Sequence, residues 1–250
     1  MSARQPIFDV QRLLNLMEDF DLDLIVASRT RGNSGDVNLT YLSGYIIPRL
    51  RNIWGFIMEY DQPYLALAGL PRNEYKDAFL LAVDQDEKMI AMQNPWIKDR
   101  RYYGCTPPQA RLDTWIAEDP FTSFAKILDE KGLAQGKIGL DMENLTVDIY
   151  EELRKALPEA TFKDTSDLFW KMRMIKSQEE IARMKKSNEI AVKATINYYN
   201  LIREGISGTE LSDILNYTYK SLGAEYKFAH GGWNRGEPEG SWGAPRGEDY

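Results

Sequence analysis

The sequence is poor in the residues that most often build metal and redox sites. It has one cysteine, Cys105, and one histidine, His230. A single thiol forms no intrachain disulfide, and this scarcity fits a reducing, cytoplasmic setting. Zinc sites built mainly from Cys and His are excluded as well. A carboxylate site needs only a scaffold to place its ligands, since Asp and Glu number 38. No stretch approaches the roughly 18 consecutive apolar residues of a membrane-spanning helix. The N-terminus leads into a polar, amphipathic segment rather than the apolar core of a signal peptide. A net charge of -7 and a pI of about 5.0 speak against a basic nucleic-acid-binding face.

What is present is ordinary for one or two globular domains: 250 residues, 43% hydrophobic and 28% charged. Residues Phe8 to Phe20 carry Leu13, Leu14, Met17 and Phe20 at helical spacing. "LDLIVAS" has the composition of a buried strand. "SRTRGNSGD" is a loop, with neither the pattern of a phosphate-binding loop nor a capped helix after it. "VNLTYLSGY" and "RNIWGFIMEY" read as extended, the second forming a hairpin with "YLALAG" across Asp61-Gln62-Pro63. "DAFLLAV" fits helix or strand, and "QNPWIKDRRYYGCTPP" reads mostly as loop.

The pattern sharpens after Pro120. "PFTSFAKILDEKG" is a helix with Pro near its start and Gly132 past its end. "KIGLDM" is a strand. "TVDIYEELRKALP" is a helix with Val147, Tyr150, Leu153 and Leu157 on one side and Pro158 as its stop. "ATFKDTSDLFWKMR" reads as a short strand or connector. The alternation indicates an α/β domain that ends near Met172.

Two capping boxes follow, Ser177 with Glu180 and Ser207 with Glu210. The first opens a helix whose apolar residues are Ile181, Met184, Ala191, Ala194, Tyr198, Leu201 and Ile202, ended by Gly205. The second opens a helix with Leu211, Ile214, Leu215 and Leu222, closed by Gly223. Together they make a helical hairpin whose apolar stripes need a cover. The last 21 residues hold six glycines and two tryptophans, Trp233 and Trp242, with no helical or strand period.

From "KIGLD" through "MRMIKSQEEI" to "GISGTEL", the chain resembles the creatinase, prolidase and Xaa-Pro aminopeptidase family, the pita-bread metallohydrolases. Upstream, "GDVNLTYLSGY" is similar to that family's N-x-x-Y-L-(S/T)-G-Y segment. The resemblance implies an α/β fold: a creatinase-type N-terminal domain, a mixed sheet with flanking helices, over residues 1–172. Residues 173–250 would be a linker, a helical hairpin and a Gly-rich tail that begin a truncated pita-bread domain. A complete relative would hold two divalent metal ions (Mn, Co or Zn) on two Asp, one His and two Glu. It would hydrolyse a C–N bond in a proline-containing peptide or a small substrate. After Gly223 come 27 residues with one His and no such ligand series. The chain by itself is therefore expected to hold no metal, to have no catalytic residue and to be inactive.

The same resemblance implies a homo-oligomer, while the acidic charge and the lack of a long apolar run lead to the expectation of no nucleic-acid or membrane partner. Arg49 and Arg51 are candidates for a substrate carboxylate, for which a guanidinium fork is suited; the alternative is a solvated loop. His230 is a candidate proton donor, or a surface histidine. Asp141, Glu143 and Asp148 flank a strand end and a helix start, where carboxylates favour the helix dipole. The basic runs "KMRMIK" and "RMKK" read as solvated faces. The other reading of the whole chain is a non-catalytic binding or dimerisation module derived from the family.

Overall fold

A computed structural model describes residues 5–30, 37–46, 65–104 and 119–224. The chain divides after Ser177 into two compact units.

Among the described residues, the first unit holds a six-stranded sheet of β1 (Leu24–Thr30), β2 (Leu65–Pro71), β3 (Phe79–Val83), β4 (Asp99–Tyr103), β5 (Lys137–Leu140) and β6 (Thr161–Asp164). Their order is β4-β3-β2-β1-β5-β6. β1 pairs antiparallel with β2, from Leu24 opposite Pro71 to Thr30 opposite Leu65. On its other side β1 pairs parallel with β5, Leu24 opposite Ile138 and Val26 opposite Leu140. β2–β3 is antiparallel, while β3–β4 and β5–β6 are parallel.

Among the described residues, the helices of the first unit are α1 (Val10–Asp19), α2 (Val37–Ser43), α3 (Glu87–Gln93), α4 (Pro120–Glu130), α5 (Val147–Ala156) and α6 (Ser166–Met174); the second unit opens with α7 (Gln178–Leu201). Alternate residues of each central strand serve opposite faces. Ile25, Ala27, Ala66, Ala68 and Leu80 join Leu13, Met17, Leu39, Leu42, Leu168 and Phe169 in one core. Leu24, Val26, Leu67, Phe79 and Leu81 join Phe124, Ile127, Leu128, Ile149 and Leu153 in the other. Burial on both faces makes "FLLAV" a strand: all five residues are buried, as interior strands between helix layers require.

Local chemistry sets the helix ends. The Asp9 carboxylate accepts from the Arg12 N–H and starts α1 within the expected Phe8–Phe20 span. Asp119 accepts from the Phe121 and Thr122 N–H groups, with Pro120 in the first turn of α4. Gly132, past the end of α4, takes a positive φ of 68°.

Four expectations are corrected. "VNLTYLSGY" is not extended but the helix α2, which buries Leu39 and Leu42 three residues apart. Its end is fixed by side chains. The Ser43 hydroxyl donates to the Leu39 carbonyl (2.7 Å) and accepts from the Tyr45 N–H (3.0 Å). Gly44 takes a φ of 75°, and Thr40 donates to the Tyr45 carbonyl (3.0 Å). "QNPWIKDRRYYGCTPP" contains the edge strand β4, parallel to β3, with Asp99 held by Arg101 (2.5 Å) and Lys131 (2.9 Å). "ATFKDTSDLFWKMR" yields β6 and then a full helix, α6, that buries Leu168, Phe169 and Met172. In α5 the buried residues are Ile149 and Leu153, whereas Val147 is 74% exposed. The segment "RNIWGFIMEY", its turn at Asp61-Gln62-Pro63, Cys105 and the two tail tryptophans lie outside the described residues.

In the second unit α7 packs against α8 (Gly208–Ser221). Asn197 donates to the Thr218 hydroxyl (2.8 Å), and Arg203 pairs with Glu210 (2.7 Å). Ser207 caps α8 by accepting from the Glu210 N–H at 3.1 Å. Gly223 closes α8 at a positive φ of 88°, whereas α7 ends at Leu201, short of the expected Gly205, which lies in the following turn at a φ of 80°. Among the apolar residues expected to form one stripe on α7, Ala194 is buried, but Met184 and Ile202 are exposed. None of the described helices is long and apolar enough to cross a membrane.

The Tyr103 hydroxyl closes the start of β2. It donates to the Leu65 carbonyl (2.7 Å) and accepts from the Leu65 N–H (2.9 Å), with Tyr103 1% exposed. Tyr103→Phe removes both bonds from a buried site. It is expected to lower stability by about 1–3 kcal/mol, seen as a lower urea midpoint at unchanged slope.

Candidate functional site

β1, β5 and β6 run in one direction, so their carboxyl ends gather on one side of the sheet. Asp141 follows β5 directly and is 1% exposed. Its Oδ2 accepts from Asn38 Nδ2 (2.9 Å) on α2 and from Asn144 Nδ2 (2.8 Å) on the turn after β5. Asn38 in turn accepts at Oδ1 from Arg173 Nη1 (3.2 Å) on α6. Asn38 thus links a buried carboxyl to the Arg173 guanidinium, 135 residues from Asn38 in sequence. Asp141 Oδ1 is buried and accepts no hydrogen bond from a described group.

The rim is more open. Trp170 is 52% exposed, its Nε1 donates to Glu143 Oε2 (3.3 Å), and the Arg173 guanidinium lies 5.4 Å from its ring centre. The Glu143 N–H donates to the Ser166 hydroxyl (3.2 Å), which donates to Asp164 (2.6 Å). Burial pushes the Asp141 carboxyl above its ordinary range, against the hydrogen bonds from Asn38 and Asn144; Glu143 and Asp164 push it the same way as burial.

This arrangement does not do what the sequence reading assigned to its parts. Asp141 is a buried hydrogen-bond acceptor for Asn38 and Asn144, where the sequence reading gave it a helix-dipole role. Arg173, from the basic run "KMRMIK", is half-buried and bonded to Asn38 rather than free on a solvated face. Asn38 and Asn144 stand in Asn-x-Ser/Thr triplets that read as chance matches, and sequence reasoning assigned neither a place in this site. A signal was present: Asn38 stands in "NLTYLSGY", Asp141 and Asn144 in "LDMEN", and Arg173 in "MRMIKS". The substrate-side candidates Arg49, Arg51 and His230 lie outside the described residues.

Metal chemistry finds no footing in this region. Among the described residues, no three His, Cys, Asp or Glu side chains are grouped so as to hold an ion. An open groove between α4 and α5 is lined by Asp119, Phe121, Asp148, Ile149, Glu152 and Lys155. Its polar groups are engaged locally: Asp119 caps α4, and Glu152 holds Lys155 at 2.6 Å.

Asn38→Leu leaves Asp141 with one amide donor and takes the Arg173 guanidinium's acceptor away. A loss of about 1.5–3 kcal/mol is expected, the range for hydrogen bonds to charged groups. Chemical denaturation checks it, with Leu near in size to Asn so that a cavity contributes little.

The family model of the Creatinase/Prolidase N-terminal domain matches residues 10–175. Creatinase from Bacillus sp. (strain B-0618) is 27% identical over 145 residues, 56% of this chain and 34% of that protein. Xaa-Pro dipeptidase from Pyrococcus horikoshii is 34% identical over 107 residues, 42% of this chain and 30% of that protein. Among solved structures, X-Pro aminopeptidase from Thermotoga maritima aligns with a TM-score of 0.63 at 19% identity, over 87% of this chain and 50% of that one. Prolidase from Pyrococcus furiosus aligns with a TM-score of 0.55 at 20% identity, over 87% and 54%. The alignments thus span about a third of these curated relatives and about half of these solved chains. Asn38, Asp141, Asn144 and Arg173 all fall inside the matched residues, and the chain belongs to the creatinase/prolidase N-terminal domain family.

Proposed function

We propose that this chain acts as the N-terminal domain of a cytoplasmic Xaa-Pro peptidase- or creatinase-like hydrolase, and that it supplies scaffold rather than catalytic groups. The observation that carries this reading is the family match over residues 10–175. The substrate class follows from the relatives' own names: a proline-containing peptide, or a small compound with a hydrolysable C–N bond. Two divalent ions (Mn, Co or Zn) belong to the complete enzyme of this reading. The described residues here do not fit them, so no catalytic step is assigned to this chain.

The second reading, a non-catalytic binding or dimerisation module, is favoured by one observation. Met184, Val192, Ile196 and Tyr199 on α7, Ile202 just past its end and Tyr217 on α8 are each between 48% and 76% exposed. Burying a large apolar side chain is worth roughly 1.5–3 kcal/mol. A second copy of the chain is the cover proposed for them.

The 250-residue chain, dialysed and assayed on an Xaa-Pro dipeptide and on creatine with Mn, Co or Zn added, is expected to show no turnover and no tightly held metal. Turnover accompanied by about two equivalents of metal would overturn the scaffold reading. In sedimentation velocity the chain is expected to run as a dimer that Ile196→Asp weakens. A compact monomer at high concentration removes the self-association reading.

A further inference from the structure

The network around Asp141 joins three elements remote in sequence: the end of β5, helix α2 and helix α6. Its carboxyl is placed so that ionisation is costly. One oxygen takes both amide hydrogen bonds, and the other, equally buried, takes none from the described groups. A carboxylate shares its charge over both oxygens, so ionisation would put part of it on a buried oxygen without a donor, which costs more than a neutral acid there. α6 also buries Leu168, Phe169 and Met172 in the core, and further hydrogen bonds hold its C-terminal end. Arg12 donates to the Lys171 carbonyl (2.6 Å), Lys176 donates to the Arg173 carbonyl, and the Ser177 hydroxyl donates to the Ile7 carbonyl.

We propose that Asp141 is a pH-sensitive latch on this unit: as a neutral acid it keeps α2 and α6 closed over the ends of the parallel strands, and as a carboxylate it favours their opening to water. The charged surroundings set the balance. Glu143 on the turn after β5 and Asp164 at the end of β6 both oppose ionisation. α6 brings Asp167, Lys171 and Arg173, the last reaching Asp141 only through the Asn38 amide. β1, against which the turn packs, carries Arg29. The described residues of α2 and its end, 37–46, contain no Asp, Glu, Lys, Arg or His.

The closed form holds its proton more tightly than the open form, in which Asp141 meets water. Closure is therefore strongest below the ordinary aspartate value of 3.8. It weakens as pH rises from there through the raised closed-state value, and above that the loss is complete.

Hydrogen exchange of the full chain, read peptide by peptide and corrected for the intrinsic pH dependence of exchange, tests this. Peptides from α2 and α6 are expected to open more as pH rises, about tenfold for each unit separating the closed and open pKa values. Peptides from β3 are expected to stay flat. Asp141→Asn keeps a side-chain oxygen for Asn38 and Asn144 without the charge, and is expected to flatten the α2 and α6 profiles. A flat wild-type profile, or a variant as pH-dependent as wild type, overturns the latch. Should the variant fail to fold, the carboxyl carbon-13 titration of Asp141 in the wild-type chain decides. A midpoint above the ordinary value supports the latch, and one at or below it overturns the latch.

Discussion

Strand β1 pairs antiparallel on one side and parallel on the other, and the rest of the first unit depends on that mixed pairing. The antiparallel side allows β2 and β3 to follow as a meander. The parallel side requires crossovers, and α5 supplies the one between β5 and β6. Because β1, β5 and β6 share a direction, the residues that follow them meet at one end of the sheet. In open α/β sheets that end is where ligands commonly bind. Here the described part of it is filled by the chain's own side chains. The filling is tight: a Cβ added at Gly139 would come within 2.4 Å of Thr165 Cγ2 and 2.9 Å of Leu22 Cδ1. Glycine at that point lets the connection after β6 approach β5 closely enough for α6 to reach Asn38.

How well each element could be read from the sequence follows from what holds it. "LALAG" and "FLLAV" are apolar throughout because helices cover both faces, and a continuous apolar run bounded by turn residues signals that. β4 gives the opposite signal. An edge strand tolerates Asp99, Arg100 and Arg101, whose partners are Lys131, Glu130 and the Asn94–Ile97 turn. Its strand character comes from pairing with β3, which local composition does not record. In α2, Thr and Tyr favour strand locally, but burial of Leu39 and Leu42 beneath one helical face overrides them. The helix survives because Ser43, Gly44 and Thr40 finish it within three residues.

The Asp141 network was legible only as separate strings. The resemblance rests on "NLTYLSGY", "KIGLDMEN" and "MRMIKS", and each reads locally as an ordinary polar residue beside an apolar run. Their meeting depends on strand order and register, which bring Asn38 to Asp141 across 103 residues and Arg173 to Asn38 across 135. Neither spacing nor composition encodes that. A carboxylate beside a helix start does suggest a dipole role. Burial to 1% exposure is what separates Asp141 from that case.

Helix α7 shows the limit of treating recurrence as a single stripe. At about 100° per residue, Met184, Val192, Ile196, Tyr199 and Ile202 fall within one arc of about 120°. Ala191, Ala194, Tyr198 and Leu201 fall on the adjoining arc and are buried or half-buried, and α8 packs against the same helix through Asn197 and Thr218. The first set is exposed. A helix that met one neighbour and water would carry one apolar arc and charged residues elsewhere. α7 follows that rule around Lys185, Lys186 and Glu189, then departs from it from Ile190 to Ile202. Its second apolar arc has the composition of a surface meant to be covered, and it is the physical basis for proposing a second copy of the chain as its partner.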